Sequence, residues 1–151
     1  MNSLISLDTI HTDLNCNTFE EIIHLMSKPL IDKNIVKRDF PCKVIEREKN
    51  SPTALATETI GVAIPHTDPE YVNHNHISIG ILKTPIEMNI MAGEPDEKTS
   101  VQIIFLLSLN ESNKHLNILQ KLMGILGTSE NLNKLKEGNK EEIVDLLNKN
   151  L

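Results

Sequence analysis

The chain has 151 residues, of which 39% are hydrophobic and 24% charged, and its net charge is −6. That apolar content argues against disorder and suffices for one buried core, while the acidic surplus argues against a nucleic-acid-binding surface. With 3% aromatic residues and no Trp, the chain also lacks the stacking platforms used by single-strand binders. Composition excludes these classes of protein and names no function.

The N-terminal region predicts a strand followed by a helix. Leu4–Ile10 has the apolar content of a short strand. Thr18, with Glu21 three residues later, forms a capping box that is typical of a helix start. Pro29 is predicted to end this helix.

A second helix is predicted from about Asn34, broken at Pro41 and resumed over Cys42–Glu48. Strands follow, recognised by alternating or continuous apolar residues. The last of them is almost entirely apolar, as expected for a central strand buried on both faces. The predicted strands are Ile60–Ile64, His76–Leu82, Pro85–Ile90 and Val101–Leu109.

Helices complete the chain. Apolar residues repeat at intervals of three and four from Leu116 until Gly127 ends the pattern. Ser129–Lys136 and Lys140–Asn150 predict two further short helices. The order of elements predicts one α/β domain over residues 1–151, with a mixed, mostly parallel sheet flanked by helices.

The sharpest local feature is a histidine at the end of a strand. A buried strand is predicted to end just before His66, and Thr67 or Asp68 would cap a helix that starts at Pro69. Open α/β sheets bind ligands at this edge, and helix N-termini attract anions such as phosphate. The position of His66 therefore predicts an anion-binding site.

A second histidine has a comparable position. His115 follows the strand Val101–Leu109 and lies on the apolar stripe at the start of the next helix. If the two strands are parallel neighbours, His66 and His115 lie at the same sheet edge. One imidazole can then attack as a nucleophile while the other stabilises the charge that develops. Imidazole suits reversible phosphoryl transfer because it is neutral and nucleophilic near neutral pH.

Two alternatives stay open on the residues alone. A histidine at a strand end is often a hydrogen-bonded structural residue, and His115 can equally bond a carbonyl group at the start of its helix. His74 and His76 occupy alternate strand positions and could chelate zinc together with His66. The metal hypothesis is the weaker one, because no cysteine or carboxylate stands at ligand spacing and the neighbouring asparagines are typical of a turn.

The motifs in combination resemble those of a known family. The strings PTALATE and VAIPHT, preceded by Arg47-Glu48, and the later string LSLNESNKHLNILQKLMGIL resemble EIIA components of the bacterial sugar phosphotransferase system. The branch is the fructose/mannitol type, and within it these strings most resemble the sequences of galactitol EIIA proteins. The resemblance covers residues 5–147. It implies a three-layer sandwich around a mixed sheet and a phosphotransferase component that forms a phosphohistidine.

The resemblance also implies roles for individual residues. His66 matches the histidine that accepts and passes on the phosphoryl group, and His115 matches the second active-site histidine that supports the phosphorylated state. Arg47 matches the arginine of the family's Arg-Glu motif, where a guanidinium can hold phosphate oxygens. The resemblance also implies support of the phosphate site by Thr53 and Glu58, and the position of Thr67 directly after His66 predicts a hydroxyl donor to the phosphate.

The chain departs from the family pattern in two places. The interval between Arg47 and His66 is a few residues longer than in the fructose and mannitol types. Asp68 stands two residues after the nucleophile, where a carboxylate pointing inward would repel a phosphoryl group. Asp68 is therefore expected to face solvent as an N-cap.

The resemblance implies HPr as phosphoryl donor, EIIB as acceptor and the membrane component EIIC as an indirect partner. The process is uptake of a polyol or sugar, galactitol-like. No cofactor, metal or nucleic acid is expected, because the chain has no nucleotide motif and no Gly-rich phosphate loop. The alternative is a regulatory protein in which the phosphorylation state of His66 controls a partner.

A cytoplasmic location is expected. Cys16 and Cys42 form no C-x-x-C motif, which favours two inert thiols in a reducing compartment. The first residues carry no signal pattern. The longest apolar stretch, Ile103–Leu109, is far shorter than the roughly 20 residues of a membrane span.

Overall fold

The computed structural model describes residues 4–57, 59–110 and 112–151, and the side chains of residues 112–116 lie outside that description. The strands are β1 (Ile10–Leu14), β2 (Ala54–Ala56), β3 (Gly61–Ala63), β4 (His76–Asn89) and β5 (Lys98–Ser108). The helices are α1 (Phe19–Asp32), α2 (Phe40–Asn50), α3 (Ser112–Leu126), α4 (Ser129–Glu137) and α5 (Lys140–Asn150). The described residues form a five-stranded sheet in the order β1-β4-β5-β3-β2, which confirms β5 as the central strand.

The mixed sheet is confirmed, but parallel pairing does not dominate in it. β1 runs parallel to β4 and β3 runs parallel to β5, whereas β4–β5 and β2–β3 are antiparallel. The longest ladder is the antiparallel one between β4 and β5. These strands are consecutive, and a short connection can close an antiparallel pair while a parallel pair needs a crossover.

Helices cover both faces of the sheet. One core cluster lies against α1 and α2, where Met26 and Phe40 are fully buried. The other lies against α3, α4 and α5, where Leu122, Leu135 and Leu147 are fully buried. The expected three-layer architecture is confirmed, and each layer buries the apolar stripe of its helices.

The first strand lies later in the chain than predicted. Thr9 N–H donates to the Ser6 carbonyl at 3.1 Å, and this bond turns Leu7–Thr9 into a short 3-10 helix. β1 therefore begins at Ile10, opposite Ile79 of β4. The prediction of a strand over Leu4–Ile10 is wrong because a local turn precedes the pairing.

Both prolines near the first two helices act differently from the prediction. Pro29 lies inside α1, because the fully buried Leu30 holds the last turn against the core and a proline there removes only one intrahelical hydrogen bond. Asn34 has a positive φ of 59°, so no helix starts there. Pro41 occupies the first turn of α2, where its missing N–H has no partner to lose.

Three further elements differ from the prediction. β2 was not predicted, since three residues are too few to show a pattern. β4 joins the two predicted strands His76–Leu82 and Pro85–Ile90, with a shift of register between Ile81 and Ile86. The helix predicted at Pro69 is a single 3-10 turn, because the chain is drawn out again where Val72 bridges Val36.

The remaining helix boundaries agree with the prediction. The Thr18 hydroxyl accepts the Glu21 N–H at 3.2 Å and caps α1, and α3 ends immediately before Gly127. Across residues 4–57, 59–110 and 112–151, no helix is both long and apolar enough to cross a membrane.

Candidate functional site

The carboxyl ends of β3 and β5 meet at one edge of the sheet. The two strands run parallel, and their contact continues past β3 where Leu107 N–H donates to the Pro65 carbonyl at 3.0 Å. His66 follows directly, and α3, which carries His115, begins shortly after β5 ends. The prediction that both histidines lie at one edge required their strands to be parallel neighbours, and β3 and β5 are. The side chain of His115 lies outside the described residues.

The His66 ring is half-buried, and the backbone two residues earlier binds it. Its Nδ1 lies 2.9 Å from the Ile64 carbonyl oxygen. A carbonyl oxygen can only accept, so Nδ1 carries the proton in this hydrogen bond. In the neutral ring the lone pair is then on Nε2, the nitrogen directed away from Ile64.

Arg47 reaches the same region from the last turn of α2. Its Nη1 donates to Asp68 Oδ1 at 3.3 Å, and the exposed fractions of the two side chains are 41% for Arg47 and 61% for Asp68. Arg47 Nε is buried and has no hydrogen-bond partner among the described residues. Asp68 faces solvent as expected and stands at the N-cap position, but its carboxylate makes no capping bond and binds Arg47 instead.

Thr53 is 4% exposed and bonds Ile64, the residue whose carbonyl holds the His66 ring. Its hydroxyl donates to Glu48 Oε1 at 2.7 Å and accepts the Ile64 N–H at 3.2 Å. Its own N–H donates to Glu48 Oε2 at 2.8 Å. The one hydrogen that the hydroxyl could offer to a phosphate is therefore directed at Glu48.

Glu48 is a contact of this site to which the sequence pattern assigns no role. Burial raises the pKa of its carboxyl group, while the hydrogen bonds from the Thr53 hydroxyl and N–H lower it. The available signal was the spacing, since Glu48 stands directly after Arg47 and five residues before Thr53. A spacing does not say which oxygen meets which donor, so only the folded chain reveals the contact.

Thr67 and Glu58 are the two remaining residues predicted to support the phosphate site. Thr67 is 5% exposed and lines a shallow cleft of about 270 Å³ with Arg47 and Asp68. Glu58 lies outside the described residues. The structure thus brings Arg47 and Thr67 to one cleft next to His66 and connects Thr53 to His66 through Ile64.

The histidines of the zinc hypothesis do not converge. His76 is 6% exposed, and its Nε2 lies 2.8 Å from the Thr9 hydroxyl of the neighbouring chain segment. His74 is exposed at the preceding turn. Within the part of the chain that the structure describes, no three His, Cys, Asp or Glu side chains are grouped as metal ligands.

The fold and this sheet edge can be compared with known proteins. The family model described as "Phosphoenolpyruvate-dependent sugar phosphotransferase system, EIIA 2" matches residues 3–150. The chain belongs to this family. Proteins of the EIIA family are phosphotransferase components that carry phosphoryl groups, so this EIIA chain is a phosphoryl carrier.

The EIIA chain resembles components specific for two sugar alcohols. It is 28% identical over 140 residues to the mannitol-specific phosphotransferase enzyme IIA component of Bacillus subtilis, which covers 92% of each protein. It is 24% identical over 106 residues to the galactitol-specific EIIA component of Escherichia coli, which covers 70% of this chain and 69% of that protein. Identity and coverage are both higher for the mannitol component, so they do not single out the galactitol branch.

A solved structure shows the same fold. The complex of enzyme IIAMtl and phosphorylated enzyme IIBMtl from Escherichia coli matches this EIIA chain with a TM-score of 0.78. The match covers 97% of this chain and 99% of that one at 19% identity. At that identity the likeness supports the fold and leaves the roles of individual residues to the geometry.

Proposed function

We propose that His66 Nε2 accepts a phosphoryl group from phosphorylated HPr and passes it to an EIIB component, in the uptake of a sugar alcohol of the mannitol or galactitol kind. The observation that supports this most is the hydrogen bond from His66 Nδ1 to the Ile64 carbonyl. It leaves the lone pair on Nε2, and a nucleophile needs that lone pair.

The transfer step is balanced without a proton. The Nε2 lone pair forms a bond to phosphorus, the bond from phosphorus to the donor atom of HPr breaks, and that atom keeps the electron pair. Nδ1 keeps its proton, and the positive charge that the ring gains is stabilised by the Ile64 carbonyl dipole. Transfer to EIIB repeats the exchange in the opposite sense.

Charge around the phosphoryl group is the second requirement. Arg47 is proposed to hold phosphoryl oxygens, because its guanidinium is within reach of the segment that follows His66 and bonds an exposed carboxylate there. Thr67 and His115 are proposed to support the same group. Glu58 keeps this proposed role on the family resemblance alone.

The partners are proposed to dock in turn on the surface around His66, since one imidazole cannot face two proteins at once. The structural neighbour bound to phosphorylated enzyme IIB supports an EIIB partner by analogy. The membrane component EIIC would act through EIIB. A regulatory role in place of transport is decided by the experiment below.

The test follows a labelled phosphoryl group. The protein is incubated with enzyme I, HPr and labelled phosphoenolpyruvate, as wild type, His66→Gln and His74→Ala. We expect label on wild type and on His74→Ala, which changes an exposed histidine, and none on His66→Gln. Label that persists on His66→Gln would overturn the assignment of His66, and an unlabelled wild type would overturn the carrier function.

Transfer onward separates transport from regulation. The labelled protein is mixed with each EIIB component of its host, and mannitol and galactitol are offered with the matching EIIC membranes. Loss of label to one EIIB together with phosphorylation of one hexitol is the expected result. Retention of label with every EIIB would favour the regulatory alternative.

A further inference from the structure

Four hydrogen bonds, in three consecutive links, connect α2 to the His66 ring. Glu48 accepts two of the polar hydrogens of Thr53, the Thr53 hydroxyl accepts the Ile64 N–H, and the Ile64 carbonyl accepts the His66 Nδ1 proton. All donor-to-acceptor lengths lie between 2.7 and 3.2 Å. The contacts run from Glu48 of α2, through the buried Thr53 hydroxyl, to the N–H group of Ile64. The carbonyl group of the same residue then binds the His66 ring.

The direction of every bond is set by groups that cannot reverse. The Thr53 and Ile64 N–H groups only donate, and the Ile64 carbonyl only accepts. Since Ile64 N–H occupies a lone pair of the Thr53 hydroxyl, the hydroxyl hydrogen is left for Glu48. The ionised carboxylate, which only accepts, is the partner that satisfies both Thr53 donors.

The backbone on both sides of Ile64 is restrained by its surroundings. Its side chain is fully buried in the core beneath α3–α5. The next residue, Pro65, has its carbonyl fixed by Leu107 of β5. The Thr53 bond fixes the peptide group before Ile64, and the buried side chain and the following proline restrict the peptide group after it. The Ile64 carbonyl therefore has little freedom to turn away from His66.

We propose that Glu48 is a positioning residue for His66, which acts through Thr53 and Ile64 to keep the proton on Nδ1 and the lone pair on Nε2. The proposal rests on the proposed function only for its kinetic consequence. The hydrogen bonds described for Glu48 come from Thr53, and its contribution is the orientation of the acceptor that selects the tautomer.

The burial of Glu48 supports this proposal. A carboxylate that is partly desolvated destabilises the fold unless its hydrogen bonds compensate, and burial raises the pKa of this group. A purely structural tie between α2 and β2 needs no ionisable group, because a neutral side chain could bind the Thr53 N–H. A charged acceptor binds both donors more strongly and holds the Ile64 peptide more firmly.

The test measures the tautomer of His66 directly. Nitrogen-15 chemical shifts of the imidazole are recorded on the unphosphorylated protein at neutral pH, for wild type, Glu48→Gln, Thr53→Val and Thr53→Ser. The controls are Glu46→Gln, an exposed glutamate of the same helix, and Thr53→Ser, which keeps the hydroxyl. We expect the Nδ1-protonated form in wild type and both controls, and a mixture of tautomers in Glu48→Gln and Thr53→Val.

The kinetic arm uses phosphorylation by HPr. We expect kcat to fall about five- to ten-fold in Glu48→Gln and Thr53→Val with KM for HPr unchanged, since orientation and not docking is lost. Wild-type tautomer and wild-type kcat in both variants would overturn the proposal while the carrier function stands. An unlabelled wild type with a variant-dependent tautomer would overturn the carrier function while the positioning role stands.

Folding is controlled in the same samples. Thr53→Val removes a buried hydrogen-bonding group, so its circular dichroism is compared with wild type. If it does not fold, Glu48→Gln decides, because glutamine keeps the size of the side chain. On the wild type itself, the Ile64 amide is expected to exchange slowly with solvent, and rapid exchange at that amide would overturn the proposal.

Discussion

The two nitrogens of an imidazole ring have nearly equal intrinsic chemistry, and in His66 a backbone carbonyl distinguishes them. The Ile64 oxygen lies 2.9 Å from Nδ1, so the position of the lone pair that the proposed transfer uses follows from the local geometry of two residues. Arg47 presents a different situation, because its guanidinium already binds a carboxylate, that of Asp68. A phosphoryl group at His66 would compete with that carboxylate.

This competition predicts the effect of removing the charge of Asp68. Asp68→Asn is expected to raise the equilibrium constant for phosphorylation by HPr by up to about five-fold, since an exposed ion pair is worth about 0–1 kcal/mol. The measurement is the phosphorylated fraction at a fixed ratio of HPr to phosphorylated HPr.

The matched control is Asp145→Asn, an exposed aspartate on α5 at the opposite face of the sheet. It removes the same charge without touching Arg47. Equal effects of the two substitutions would contradict the competition, because they would reflect net charge alone.

At the scale of elements, the short strand β3 positions the site. It pairs with β5 on one side and β2 on the other, and its three residues are all buried. Gly61 begins the strand where a Cβ atom would lie 2.3 Å from the Ser100 carbonyl oxygen. β3 and β5 can approach to pairing distance only because this position has no side chain.

Gly61→Ala is therefore expected to destabilise the protein. The added methyl group meets backbone, which cannot move aside as a flexible side chain would, and overpacking of this kind costs about 1–3 kcal/mol. Urea unfolding at neutral pH measures the loss, and the rate of labelling at His66 should fall with it because the strand end shifts.

The control for this substitution is Gly124→Ala. Gly124 is exposed within α3 and a Cβ atom there meets nothing within 4 Å, so alanine is expected to stabilise the helix by about 0.5–1 kcal/mol. Gly61→Ala with wild-type stability would show that β3 can move away from β5 without cost.

At the scale of the whole molecule, the packing of the sheet against its neighbouring segments buries a second histidine, His76, away from solvent. His76 begins β4 and bonds Thr9. Burial, and to a smaller extent the nearby charge of Lys33, lowers the pKa of His76 from 6.5 to about 4. Burial and the charge of Lys140 lower the pKa of His11 in the same direction.

These pKa shifts predict that the protein becomes less stable as the pH is lowered. Between pH 6.5 and about 4 the unfolded chain binds a proton at His76 that the folded chain does not, so the free energy of unfolding decreases as pH falls through this window. The loss attributable to His76 is at most about 3 kcal/mol. Above pH 6.5 this group contributes no pH dependence.

His76→Gln should remove most of the pH dependence of the free energy of unfolding in this window, while it keeps a side chain that can form a hydrogen bond with Thr9. Urea unfolding at pH 7 and pH 4.5 is compared for wild type, His76→Gln and the exposed control His24→Gln. A residual slope from His11 is expected to remain. An identical slope in wild type and His76→Gln would contradict a proton-linked role for His76.

Local sequence was sufficient for the fold class and for the main candidate residue. Long periodic stretches such as α3 and β5 were predicted because their patterns extend over many residues, and Thr18 was predicted as a cap because a capping bond spans one turn. His66 was predicted because a buried strand ending in a histidine is a local pattern. The predictions of a strand over Leu4–Ile10 and of a helix break at Pro41 were wrong. Short turns and helix starts depend on the contacts of the neighbouring chain, which a local pattern does not contain.

Tertiary structure alone established the parallel contact of β3 with β5, the ion pair between Arg47 and Asp68, and the hydrogen bonds from Glu48 through Thr53 to Ile64. The physical reason is range. Propensity, capping and apolar periodicity act within a turn or a strand, whereas strand order and the partner of a buried polar group depend on residues brought together by the core.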